Sequence, residues 1–158
     1  MGIQERTSNT TKLSYFTGKI PVHYYYTMGI AGEKFFRAIK DKGQFVGTHC
    51  KACDFTFVPP QMYCERCFAR LEDYIEVPTT GEVYAVTQSF VNRDGSAKEK
   101  PTLVAVVRLD GTDGGLVHYL GEVDPEEVFI GMPVQAVFQP KNKRKGDIFD
   151  VKYFRPMR

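Results

Sequence analysis

The sequence predicts a mainly β protein: an N-terminal helical arm, a compact four-cysteine module and a five-stranded barrel. Three observations predict it. One stretch near the N-terminus has helical apolar spacing. All four cysteines fall in one short segment as two C-x-x-C pairs. Five strand-like runs follow, separated by turn signals. The 158 residues are 42% hydrophobic, with twelve Phe and nine Tyr, so a real core can be buried without covalent staples. The expected organisation is an arm and helix over 1–43, the cysteine module over 44–72 and the barrel over 73–158.

Residues 1 to about 20 are polar and aperiodic and read as a loose tail. "IPVHYYYTMGIAG" follows, with Tyr24, Tyr25 and Tyr26 in a row. Three adjacent tyrosines either pack on the domain or face a partner. "AGEKFFRAIKDKGQF" is the helix: Ala31, Phe35 and Ile39 with the neighbouring Phe36 form an apolar stripe, charges cover the opposite face, and Gly43 is a left-handed stop. The stripe suits a docking face, either for the chain's own core or, with the tyrosines, for a partner at Phe35 and Phe36.

After the cysteines, "GEVYAVTQSFVN" reads as a long strand and "RDGSAKEK" as a polar loop. "PTLVAVVRL" is a second strand, "DGTDGG" a hairpin turn and "LVHYLGEV" a third strand. In "DPEEVFIG", Asp124, Pro125 and Glu127 carry the signals of a capped helix of about two turns, ended by Gly131. "PVQAVFQ" alternates as a fourth strand, "KNKRKGD" is a basic turn and "IFDVKYF" a fifth strand. Three strands, a short helix and two strands is the order of an OB-fold; a five-stranded sandwich is the alternative.

"CKACDFTFVPPQMYCERC" holds Cys50, Cys53, Cys64 and Cys67. Two C-x-x-C pairs are the spacing of a tetrahedral thiolate site. Four thiolates leave a zinc ion no open position, so such a site is structural. Iron suits the same ligands, and an electron carrier of rubredoxin type is a third reading; a disulfide is disfavoured in a reducing compartment. Gly often follows the second Cys of such a knuckle; here Asp54 and Phe68 stand there, and Phe tolerates the left-handed region poorly. The "FTFVPP" hairpin is expected as a surface beside the metal, facing a partner.

With all four thiols committed, no cysteine remains as a nucleophile. The sequence has no G-x-S-x-G elbow, no glycine-rich phosphate loop and no H-E-x-x-H, and its three histidines are isolated. Catalysis by this chain is therefore not expected. The opening residues carry no apolar signal core and no run is long enough to span a membrane, which reads as a cytoplasmic protein.

The loops that flank an OB-fold's ligand face carry Arg93, Lys98 and Lys100 on one side and Lys141, Lys143, Arg144 and Lys145 on the other. They read either as solvated turns or as an anion site. Single-stranded nucleic acid also needs stacking aromatics, and strands two and three offer only Tyr119. A net charge of +2 gives that reading no help. A compact anion, such as the phosphates of coenzyme A, needs only a few lysines and arginines.

The run "YYYTMGIAGEKFFRAIKDKGQFVGTHCKAC", with "FVPPQMYCERC", "GEVYAVT", "GMPVQAVF" and "FDVKYFRP", resembles a family long catalogued as a domain of unknown function. Its members join an N-terminal helical arm, a rubredoxin-like zinc ribbon and an OB-fold. The resemblance implies a small, non-catalytic subunit of a thiolase-fold enzyme acting on acyl-CoA, such as a thiolase or acyltransferase in the breakdown of aromatic compounds. It implies that the OB-fold helps to bind the acyl-CoA or bridges subunits in a hetero-oligomer.

Overall fold

The computed structural model describes residues 9, 11, 18, 22–92 and 94–157. The loose tail expected over residues 1–20 lies outside the described residues apart from Asn9, Thr11 and Gly18, and so does Arg93.

Helix α1 runs Gly29–Lys42 and buries Ala31, Phe35 and Ile39, one residue per turn of a single stripe. It stops where Gly43 turns left-handed at φ 67° and donates its amide to Ile39 O at 3.0 Å. Phe35 is only 2% exposed, stacked on Phe45 at 6.0 Å and edge-on to Phe36 at 5.4 Å. This corrects its assignment to a partner surface: burying such a ring gains about 1.5–3 kcal/mol, and the chain's own core takes it.

The cysteine module is a three-stranded antiparallel sheet of order β2-β1-β3, formed by Phe45–Cys50 (β1), Phe55–Phe57 (β2) and Tyr74–Val77 (β3). "FTFVPP" does not form the expected surface. Thr56, Phe57, Val58 and Pro60 are buried, and Pro59, joined to Val58 by a cis bond, is exposed. The barrel hairpin explains the burial. Asp113 accepts from the Thr56 amide at 2.9 Å and returns its own amide to Thr56 O at 3.0 Å. Gly114 lies so close that a Cβ there would stand 2.6 Å from Val58 O.

The barrel is a five-stranded sheet of order β6-β5-β4-β7-β8, with β4 Thr80–Val91, β5 Ala97–Leu109, β6 Gly115–Tyr119, β7 Pro133–Phe138 and β8 Val151–Pro156. A parallel bridge between Leu120 and Phe154, with the Gly121 amide on Phe154 O at 2.9 Å, joins β6 to β8 and closes it. Closure removes the open edges and gives the OB-fold.

Three element readings are corrected. The "RDGSAKEK" loop is shorter than expected, because β5 begins at Ala97 and pairs with Val91, which puts Lys98 and Lys100 on a strand. "DPEEVFIG" makes two separate turns rather than a helix. Asp124 does cap the first, accepting from the Glu126 amide at 3.2 Å, but Gly131 then gives its amide to Val83 O at 2.7 Å, and this bond to β4 ends the segment. Ile148–Asp150 is a 3₁₀ turn and the last strand begins only at Val151, because Asp150 turns inward to hold the preceding loop.

One core serves all three units. Phe35 and Ile39 of α1, Phe45, Val58 and Val77 of the module, and Val83, Val107, Val134 and Phe154 of the barrel belong to a single buried cluster. Phe45 sits at its centre, 5.3 Å from the Phe138 ring and 6.3 Å from Phe154.

His118 is the one titrating imidazole in this interior among the described residues, and its Nε2–H donates to Val151 O at 2.6 Å. Burial lowers its pKa, partly offset by that hydrogen bond. The folded state thus resists a proton that the unfolded chain accepts near ~6.5, so stability falls as pH drops below that value. His118→Gln keeps a donor for Val151 O without titrating. Denaturant midpoints at successive pH values should show a smaller acid-side loss for the variant than for the parent; equal losses would show that His118 does not contribute.

Candidate metal centre and binding surfaces

Cys50 ends β1, Cys53 lies in the turn to β2, and Cys64 and Cys67 lie in a second turn stitched by Cys64 N to Ala69 O at 2.8 Å. The two turns face each other. Their four sulfurs lie within 4.8 Å of one another, with Cys50 to Cys67 at 3.6 Å and Cys53 to Cys64 at 3.9 Å. A disulfide needs about 2.05 Å. A tetrahedron with Zn–S near 2.3 Å has an edge of about 3.8 Å, which these separations match. The residues present therefore fit a four-thiolate metal site with no position left for substrate.

Both knuckles place the residue after their second cysteine in the left-handed region, Asp54 at φ 51° and Phe68 at φ 60°. The strain at Phe68 is offset locally: its amide donates to Cys64 O at 2.9 Å and its ring stays 80% exposed, free of crowding. The knuckle amides also prepare the ligands. Burial pushes the Cys64 thiol up, but the Cys67 and Arg66 amides and the neighbouring thiols outweigh it and bring it down to about 7. Its neighbours hold the proton instead. The Cys67 thiol, burial and the other two thiols push Cys53 up to about 12, and burial raises Cys50. Cys64 thus forms a thiolate readily, and Cys50 and Cys53 need a cation to do so. His49 abuts the site; its Nδ1 lies 3.1 Å from Thr56 Oγ1 and its Nε2 3.7 Å from Asp54.

Among the described residues the basic side chains divide between two clefts and the surface. Lys100 lines one cleft with Leu103, Tyr119, Val123 and Pro125. Lys143 and Lys145 line another with Gln139, Asp147, Phe149 and Asp150. Lys141 is exposed on the same turn. Lys98 is tied to Thr102 Oγ1 at 2.8 Å and Ser89 Oγ at 3.2 Å. Arg144 is not offered to an anion: its Nε donates to Gln139 O at 2.7 Å and its Nη1 lies 3.4 Å from Ile39 O, at the carbonyl end of α1. It clamps barrel to helix, a role that sequence reading missed because the partners are 105 residues apart.

Tyr24, Tyr25 and Tyr26 are 70%, 98% and 85% exposed, so they do not pack on the domain. Val22, Met28 and Ile30 extend the same exposed apolar run. Phe36 is half-buried.

Cys64→Ser removes a fully buried ligand from the cage. Structural zinc in finger peptides is worth ~10–16 kcal/mol apparent, so the variant should lose bound zinc and melt several degrees or more below the parent. Metal analysis and thermal unfolding, repeated on the parent with a strong chelator, should agree. A variant that is metal-free yet equally stable would refute the cage.

Comparison with known proteins agrees with this architecture. Residues 37–72 match the rubredoxin-like zinc ribbon domain of ChsH2, and residues 74–139 match the ChsH2 C-terminal OB-fold domain. A DUF35 domain-containing scaffold protein of Methanocaldococcus jannaschii is 29% identical over 113 residues, covering 71% of this chain and 79% of that protein. Among solved structures, a DUF35-family protein of unknown function from Sulfolobus solfataricus is 30% identical with a TM-score of 0.60, covering 69% of this chain and 78% of the other. A chain of the Ltp2-ChsH2(DUF35) aldolase is 29% identical with a TM-score of 0.57, covering 78% of this chain and 91% of the other. The zinc ribbon match and the converging cysteines together support structural zinc. By fold, by cysteine cage and by relatives, the chain belongs to the DUF35 family, in the ChsH2 arrangement of a rubredoxin-like zinc ribbon followed by an OB-fold.

Proposed function

We propose that the chain is a non-catalytic, zinc-stabilised scaffold subunit of a thiolase-type acyl-CoA enzyme, a 3-oxoacyl-CoA thiolase or acyltransferase, which it stabilises and helps to bind acyl-CoA. The observation that carries this reading is the closed cage. It takes all four cysteines, and acyl transfer of the thiolase kind needs a free one. The chemistry then belongs to a partner. The scaffold name of one relative and the two-component aldolase of another support a hetero-oligomer. No helix among the described residues is long and apolar enough to cross a membrane, and the partner is sought among cytoplasmic proteins.

The exposed Tyr24–Tyr25–Tyr26 segment, continued by Met28 and Ile30, is the docking surface. Tyrosine anchors supply large contact area at low entropic cost, and interfaces are enriched in them. Phe36, half-buried against the chain's own core, offers a partner only its remaining exposed edge.

Co-expression with a thiolase-fold protein encoded beside this chain tests the reading. A stable complex should form, and the partner's acyl-CoA turnover should depend on it. Changing Tyr24, Tyr25 and Tyr26 together to Ser should weaken the complex by at least about a hundredfold and leave the isolated chain's melting temperature unchanged, since anchors of this kind each carry ~1–2 kcal/mol. A chain that stays alone beside every such partner, and instead binds single-stranded oligonucleotides with a steep salt dependence, would be a nucleic-acid protein.

A further inference from the structure

The four cysteines of the cage are not equally sheltered. Cys50 and Cys64 are 1% and 0% exposed and Cys53 is half-buried, but Cys67 is exposed. The difference comes from the two knuckles. The first grows out of a sheet: Cys50 pairs with Phe55 across β1 and β2, and the His49 amide donates to Asp73 O at 3.1 Å. The second is a hairpin closed on itself by Cys64 N to Ala69 O and Phe68 N to Cys64 O, and every residue from 65 to 70 is exposed. An oxidant arriving from solvent therefore meets the cage first at Cys67.

The geometry also selects a partner for that sulfur. Cys67 Sγ lies 3.6 Å from Cys50 Sγ, closer than the 3.9 Å between Cys53 and Cys64. A disulfide needs about 2.05 Å. With Cys50 fixed at the end of β1, closing that gap falls to the exposed turn.

We propose that Cys67 is an oxidation site, at which hydrogen peroxide converts the cage into a Cys50–Cys67 disulfide that opens it, reversibly. The Cys67 thiolate attacks the peroxide: an S–O bond forms, the O–O bond breaks, and the departing hydroxide takes up a proton as water. The sulfur has lost two electrons and stands as a sulfenic acid. The Cys50 thiolate then attacks it: the S–S bond forms, the S–O bond breaks, and a second hydroxide takes up a proton as water. Cys53 and Cys64 are left as two ligands where the cation had four. A small dithiol reverses the change, becoming a disulfide itself as Cys50 and Cys67 regain two electrons and two protons. Meanwhile the new bond still ties the end of β1 to the second knuckle, and so restrains the unfolded chain after the cation has left. None of this needs acyl-CoA or a partner, so it stands or falls apart from the subunit reading.

The full-length, zinc-loaded chain treated with hydrogen peroxide tests it, read by a chromogenic zinc chelator and by tryptic mass mapping. Trypsin separates the sulfurs: Cys50 lies on 43–51, Cys53 and Cys64 together on 52–66, and Cys67 on 67–70. Zinc should be released as 43–51 becomes linked to 67–70. Dimedone, a sulfenic-acid trap, should label 67–70 first when present from the start. Dithiothreitol with added zinc should restore the parent. The oxidised chain should melt above the reduced chain stripped of zinc by a chelator. Cys67→His offers the cation a fourth ligand that forms no disulfide, and should slow peroxide-driven release at least about tenfold. If that variant does not fold, the label and the peptide map of the unaltered chain decide alone. A first label on 43–51 or 52–66, a bond confined to 52–66, zinc retained under peroxide, loss that dithiothreitol does not reverse, an oxidised chain melting no higher than the stripped one, or a folded Cys67→His variant releasing zinc as fast as the parent would overturn the site.

Discussion

Four sulfurs held within 4.8 Å of one another set the terms for the rest of the molecule. As thiolates they repel, and a divalent cation among them turns that repulsion into the largest single favourable contribution the small sheet has. The consequence reaches further than the knuckles. Cys50 is the last residue of β1, and Phe45, the first, is the ring on which Phe35, Phe138 and Phe154 converge. One six-residue strand therefore runs from the metal to the centre of the core. The register that lets Cys50 meet its partners also lays Phe45 into place, because a slip of one residue along β1 would turn both to the opposite face.

That coupling divides the molecule into a fixed interior and a functional periphery. The junctions of ribbon to barrel through Asp113 and Thr56, and of barrel to helix through Arg144, are made of directed hydrogen bonds rather than apolar contact alone. The groups that can meet another molecule stand outside this frame: the tyrosine segment before α1, the Lys100–Tyr119 cleft, and the outward side chains of the β7–β8 turn. A scaffold subunit needs this arrangement, since what it contributes to a complex is geometry.

Much of this was legible in the residues. Helix α1 announced itself because the Ala31–Phe35–Ile39 spacing and Gly43 act locally, and the cage because C-x-x-C spacing fixes ligand geometry within a few residues. The departures after Cys53 and Cys67 were legible too, and Asp54 and Phe68 do take the left-handed conformation that the missing glycines would have filled. The failures share one cause, which is competition from distant backbone. The Asp124 cap formed, but the bond from Gly131 to Val83 ended its helix. Phe35 and "FTFVPP" were assigned outward because nothing local distinguishes a ring facing a partner from one facing Phe45 or the Gly114 hairpin. Arg144 looked like its lysine neighbours; only the fold shows that its fork reaches the end of α1.

The Arg144 clamp also bears on how the chain is made. Synthesis proceeds from the N-terminus, so α1 leaves the ribosome long before the turn that secures it, with 105 residues between Arg144 and the Ile39 carbonyl. During that interval the Phe35–Ile39 stripe lacks Phe154, and the tyrosines just upstream stand beside an unsecured helix. Helix α1, translated before the barrel, is thus among the last elements to be fixed. What the finished protein has secured is the helix that follows the tyrosines, not the tyrosines themselves.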